Sequence, residues 1–209
     1  MCELLYIYSN ISNTYVYEIE EILKDMYSRN PDGIGGIFDR ESYSKNISIN
    51  NFIEWNYNMS FREAIFHTRK RTRGEIDLEN TQPIIGKRFW VMHNGGFRGI
   101  GQNGRSDSWE FTRLLDQGID MVKYLTNREG AWSMFILDTH TKDLIYTRNH
   151  KRSMFIAKNN KYTIAATKDN VIQRLSDILG VDMEIHEISM NIVFVIEKGE
   201  FIPFQPSII

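Results

Sequence analysis

The only cysteine of the 209-residue chain is Cys2, directly behind the initiator methionine and ahead of an apolar run, in MCELLYIYSN. Removal of Met1 would leave this thiol on a residue that also carries a free α-amine. An α-amine titrates at about 7.7–8.0 when unperturbed, so near neutral pH it can take the proton of its own side chain. That is the logic by which a nucleophilic threonine is paired with an N-terminal amine. The plainer reading is a small hydrophobic residue opening a first strand.

A second group of residues suits the recognition of an amino acid. The planar guanidinium of Arg69 matches a carboxylate, and Asp107 offers an acceptor for an ammonium group. The side chain of Asn94 and the backbone N–H of Gly95 supply two donors that could face a developing oxyanion. Each residue alone has an ordinary reading: Asp107 as a helix cap, Asn94-Gly95 as a turn, and the basic run from Arg69 to Arg73 as a solvated face. His67 and His93 lack companions at ligand spacing, so they read as core histidines and no metal site is expected.

Composition narrows the class. A formal net charge of -2 gives no global reason to bind nucleic acid, and a single cysteine cannot close an intrachain disulfide. No run of eighteen apolar residues and no signal-peptide pattern is present, so the sequence predicts a soluble, cytoplasmic protein with no membrane partner. With 42% hydrophobic residues and no linker-like or repeated segment, a single domain over 1–209 is expected.

The elements that must position these residues follow from periodicity. Glu3–Tyr8 reads as a strand, and residues 14–29 as a helix capped by Asn13 or Thr14, with Val16, Ile19, Ile22, Leu23 and Met26 on one face. NPDG turns the chain into a strand through GIGGIFD. SFRE at Ser60–Glu63 reads as a capping box starting a short helix, and RFWVMHN as a strand ending in an Asn94-Gly95-Gly96 turn. A helix capped by Ser106 or Asp107 and closed by Gly118 follows. AWSMFILD, LIYTR, SMFIA and YTIAA then read as strands in hairpin rhythm, before a helix through VIQRLSDIL and strands at MEIHEI and IVFVIE. Helices interleaved with hairpins argue for α+β layers on antiparallel sheets.

In order along the chain, MCELL, NPDGIG, HTR-x-x-T-x-G, LENTQP, HNG, SD at a helix head and REGAWSMFILD make the sequence resemble a class II glutamine amidotransferase domain. This domain belongs to the N-terminal-nucleophile (Ntn) hydrolase superfamily, and the match is closest to the small stand-alone members that begin MCELL. It covers residues 1 to about 170. The resemblance implies a four-layer αββα sandwich, Cys2 as nucleophile and Asn94 and Gly95 as the oxyanion hole. It further implies Arg69 and Thr72 at the substrate α-carboxylate, Asp107 at the α-amine, and no cofactor. The activity implied is release of ammonia from glutamine through a γ-glutamyl thioester, with a possible separate ammonia-accepting subunit. Two other readings stand beside it: a non-catalytic glutamine-binding regulatory module, and another Ntn amidohydrolase acting on a γ-glutamyl amide. Lys70, Arg73 and Gln82 depart from the residues usual in the family at those positions, which bears on substrate preference.

Overall fold

A computed structural model of the chain describes residues 2–204. The first half contains β1 (Glu3–Ser9), β2 (Thr14–Tyr15), a 3-10 turn (Val16–Ile19), α1 (Glu20–Arg29), β3 (Ile34–Phe38), β4 (Ser42–Asn46), α2 (Ile49–Asn56), β5 (Ser60–Phe61), β6 (Glu63–Thr68), β7 (Ile84–Ile85) and β8 (Phe89–Phe97). The second contains α3 (Asp107–Asp116), α4 (Met121–Thr126), β9 (Gly130–Asp138), β10 (Leu144–Arg148), β11 (Phe155–Lys158), β12 (Tyr162–Ala166), α5 (Asp169–Leu179), β13 (Ile185–Glu187), β14 (Val193–Glu197) and β15 (Glu200–Phe204). None of the described helices is long and apolar enough to cross a membrane.

Two antiparallel sheets hold these strands, in the orders β13-β11-β12-β1-β6-β3-β4 and β15-β14-β10-β9-β8-β7, with β2 and β5 forming a separate pair. Strand alternation turns them into layers, because successive side chains point to opposite faces. In β1, Leu5 and Ile7 pack with Ile22 and Met26 of α1, Phe52 of α2 and Leu175 of α5. Leu4 and Tyr6 point the other way and meet Met92, Phe135, Leu137 and Tyr146 of the second sheet. Val91, Met134 and Ile136 then carry the far face of that sheet onto Phe111 and Leu115 of α3 and Leu125 of α4. Helix, sheet, sheet and helix are thus stacked as expected from the sequence. The seam between the sheets is rich in aromatic rings, with Tyr6 stacked on Phe135 at 5.6 Å and Tyr146 against Phe135 at 4.9 Å. Such pairs add about 0.5–1.5 kcal/mol each beyond their buried area.

Three local expectations fail, each for a tertiary reason. The SFRE segment is strand, not helix: Glu63 starts β6, which lies between β1 and β3 and is buried along its whole length. Glu63 does not close a capping box; it receives the Tyr6 hydroxyl at 2.7 Å and pairs with Arg40. The first helix is shorter than predicted, because Thr14 and Tyr15 pair with Phe61 and Ser60 and the chain enters α1 through the 3-10 turn. The Tyr15 N–H is taken by Glu18 at 2.6 Å, so neither Asn13 nor Thr14 is the cap. Finally, β8 runs straight through Asn94-Gly95-Gly96, which pair with Ser133, Trp132 and Ala131 of β9.

Candidate active site

The same alternation decides what reaches the seam. Leu4 faces the second sheet, so Cys2, two residues earlier, points to the same side, while Glu3 points toward the helices. On β6, which pairs with β1 through Glu3↔Thr68 and Leu4↔His67, Ile65 faces the seam, and by the same count so do His67 and Arg69. On β8, Met92 faces the seam, and Asn94 follows it by two. Strand β1 begins where β6 ends, so the sulfur and the guanidinium lie at one mouth of the sandwich.

The thiol is framed by one peptide unit. The Lys70 N–H donates to Cys2 Sγ at 3.3 Å, and Sγ lies 3.5 Å from the Lys70 carbonyl. Burial pushes the Cys2 thiol above its ordinary value, opposed by the Lys70 hydrogen bond and by the charge of Arg69, with the Asp107 carboxylate reinforcing the rise. A thiol in this setting rests protonated near neutral pH and needs a base before it can attack. Met1, whose removal would expose such a base, lies outside the described residues.

What fixes Cys2 in place is its neighbour. Glu3 is 2% exposed and bonds Arg29 through both carboxylate oxygens at 2.8 Å, Lys168 at 2.8 Å and the Asn30 side chain at 3.1 Å. Burial by itself would raise the Glu3 carboxyl, yet the hydrogen bonds from Arg29 and Lys168 hold it below the usual carboxylate range. The first strand is therefore riveted to α1 and to the head of α5.

Arg69 is almost wholly buried, and burial presses its guanidinium below its ordinary value. Nη1 donates to the Glu75 carbonyl at 2.6 Å and Nη2 to the Arg73 carbonyl at 2.9 Å, which folds residues 70–75 around it. Asp32, in the NPDG turn, accepts the Arg71 N–H at 2.7 Å and holds the start of that loop. Three of the five guanidinium protons remain for another acceptor.

Asp107 is the first residue of α3, and the cap is Ser106, whose hydroxyl accepts the Trp109 N–H. The helix-cap reading of Asp107 is thereby replaced. Its carboxylate accepts the Phe97 N–H at 2.7 Å, tying the head of α3 to the end of β8. Between them, Gly95 has φ +156°, and a Cβ there would sit 1.8 Å from the Ala131 carbonyl oxygen. Only glycine fits. Over Gly95 and Gly96 opens a cleft of about 710 Å³, flanked by Thr72 and Arg73 on one side and by Lys151 and Arg152 on the other. Of the six residues singled out in the sequence, Thr72 and Gly95 line this cleft, Cys2 lies within reach of the charges of Arg69 and Asp107, and Asn94 precedes Gly95 on β8.

Several positioning residues were not assigned roles from the sequence. In LENTQP, Asn80 accepts the Ser106 N–H at 2.7 Å and donates to the Gly104 carbonyl at 2.9 Å, setting the approach to Asp107. Gln82 bonds both the N–H and the carbonyl of His93, the second at 3.0 Å, acting as a strand partner for β8 just before Asn94. A side-chain amide offers a donor and an acceptor at once, so glutamine suits this position. His93 itself meets Ser108 Oγ at 3.0 Å, and burial holds its imidazole below the ordinary range despite Asp107 nearby. Fully buried His67 is lowered to about 3, by burial first and by the neighbouring His93 and Arg69 next. Among the described residues no group of three or more His, Cys, Asp or Glu is placed to hold a metal ion.

No family model matches the sequence, and no curated protein matches it. Solved structures do. The glutamine phosphoribosylpyrophosphate (PRPP) amidotransferase from B. subtilis, complexed with ADP and GMP, superposes with a TM-score of 0.70 at 15% sequence identity. A second structure, described as the allosteric regulatory enzyme of purine biosynthesis, gives 0.70 at 17% identity. Each alignment covers 98% of this chain and 49% of the other, so the chain spans about half the length of the structures it matches. At these identities what is shared is the fold, the four-layer αββα sandwich of antiparallel sheets anticipated from the sequence.

Proposed function

We propose that the chain is a glutamine amidohydrolase whose nucleophile is Cys2. The observation that supports this reading best is that the Cys2 thiol lies within reach of the charges of buried Arg69 and Asp107, and that Asp107 is tied to β8, the strand that carries Asn94 and Gly95. In this reading Arg69, assisted by Thr72, grips the substrate α-carboxylate and Asp107 grips the α-ammonium.

With Met1 gone, the Cys2 α-amine takes the thiol proton as Sγ attacks the side-chain carbonyl carbon. The oxyanion is met by the Asn94 side-chain N–H and the Gly95 backbone N–H. Collapse breaks the C–N bond, the α-ammonium returns the proton to the leaving nitrogen, and ammonia departs. Water then attacks the γ-glutamyl thioester, giving glutamate and the free thiol. Ammonia would pass either to solvent or to a separate accepting subunit.

Intact-mass measurement paired with a glutaminase assay tests the scheme. Active protein should lack Met1, and Cys2→Ala should be folded and without detectable turnover. Full activity in protein that retains Met1 would overturn the amine-as-base step, and activity in Cys2→Ala would overturn the nucleophile. Tight glutamine binding with no hydrolysis in protein lacking Met1 would turn the reading into a regulatory glutamine-binding module.

A further inference from the structure

The cleft over Gly95 and Gly96 is larger and more positive than a neutral amino acid requires. Glutamine enters as a zwitterion, and in the reading above its two charges are met by Arg69 and Asp107. The cleft, which adjoins those residues through Thr72 and Gly95, is lined by four other cations, Arg73, Arg98, Lys151 and Arg152, against the single carboxylate of Glu129. Glu129 is already paired with Arg98 at 2.6 Å on the exposed outer edge. Arg73 is turned partly to structure, with Nη1 on the Phe97 and Ile100 carbonyls at 2.7 Å each. Lys151 and Arg152 are left facing the cavity.

Arg152 carries the argument. Its Nη1 donates to the Lys151 carbonyl at 2.9 Å, and its Nε is buried with no hydrogen-bond partner among the described residues. A buried, unpaired guanidinium N–H is costly, of the order of a hydrogen bond to a charged group. It lies close enough to buried His93, the residue before Asn94, to depress that imidazole further. The cation therefore sits near β8 and has no counter-charge of its own among the described residues. Lys151 reaches a second, adjoining cavity of about 470 Å³, shared through Glu129 and Gly130, where the Arg128 Nε is likewise buried without a partner.

We propose that this cleft receives an anionic group, carboxylate or phosphate, carried on the amide nitrogen, so that the preferred substrates are γ-glutamyl amides of acidic amines. The inference rests on the amidohydrolase reading and deepens it. The chemistry is unchanged: Sγ displaces the amine, which leaves with the proton held by the Cys2 α-ammonium, and water releases glutamate from the thioester. Arg152 and Lys151 hold the departing anion and touch none of the bonds that break.

The test compares kcat/KM for γ-glutamyl-4-nitroanilide, its 3-carboxy derivative, γ-glutamyl-O-phosphoethanolamine and glutamine, using protein shown to lack Met1. The expected result is a preference of roughly tenfold or more for at least one anionic amide over the uncharged anilide, shrinking as salt screens the charges. The larger preference names carboxylate or phosphate as the source. Arg152→Gln and, independently, the exposed Lys151→Gln should bring the ratio down toward one, with folding checked by circular dichroism. Equal turnover of charged and uncharged amides, with ratios indifferent to both substitutions, overturns the anion site and leaves the amidohydrolase reading standing. No hydrolysis of any of the four overturns both.

Discussion

At the floor, Gly95 lines the cleft and, with Asn94 before it, lies inside the nine-residue strand β8, paired residue for residue with β9, while Cys2 and Arg69 flank the paired ends of β1 and β6. At the rim, Thr72, Arg98 and Lys151 lie outside any helix or strand and are exposed. The floor is set by backbone pairing with β9, while the rim is set by single side-chain contacts such as Arg73 on the Phe97 carbonyl. Chemistry needs atoms held within a fraction of an ångström, and pairing within sheets supplies that. Selection among substrates tolerates softer positioning. Floor substitutions should therefore act on turnover, and rim substitutions on which substrate is taken.

The largest effect beyond loss of the thiol should come from Asn94→Ala. Removing one oriented donor should slow thioester formation by roughly a hundred- to a thousand-fold, measured by single-turnover kinetics, with little change in glutamine affinity. A loss confined to affinity would move Asn94 from floor to rim. Asp107→Asn comes next. It keeps the shape and an acceptor for the Phe97 N–H while removing the charge, so KM for glutamine should rise roughly ten- to hundredfold with a small shift in melting temperature. Because Ser106 caps α3, a large melting shift would mean that the tie to β8 matters more than the substrate. Thr72→Ala, at the rim, should raise KM only about two- to tenfold and leave kcat alone.

The comparison also has a pH signature. His67 lies beneath the floor with its pKa lowered from 6.5 to about 3, so between those values the unfolded chain binds a proton that the folded one refuses. Its contribution to stability is complete above pH 6.5 and is lost as the pH falls toward 3. Melting temperature should decline over that window, and His67→Leu should flatten part of the decline. An unchanged slope would show that the acid sensitivity lies elsewhere.

Much of this was visible in the residues. The apolar spacing in Val171, Ile172 and Leu175 marks α5, and the four hairpin strands fall where their composition puts them, although β9 and β10 join one sheet and β11 and β12 the other. Local spacing cannot assign a strand to a sheet, because that choice is made by contacts far apart in sequence. For the same reason Ser60–Glu63 looked like a helix start: a capping box is a local pattern, and the burial of β6 between two strands overrides it. The site residues stood out by type and order. Their supports did not, since nothing in the spacing links Glu3 to Arg29 and Lys168, or Asn80 to Ser106.

The Glu3 rivet also sets a timetable. Of the partners that hold Glu3 beside Cys2, Arg29 and Asn30 are made early, but Lys168 is made after four-fifths of the chain, and β1 is flanked on its other side by β12, which ends at Ala166. Arg29, Asn30 and the β6 pairing can engage this end early, but the full set of contacts around Glu3 waits for Lys168 and β12. Contacts of such long range are closed late. The strand that follows Cys2 is therefore fully bracketed only once Lys168 and β12, both late in the sequence, are in place.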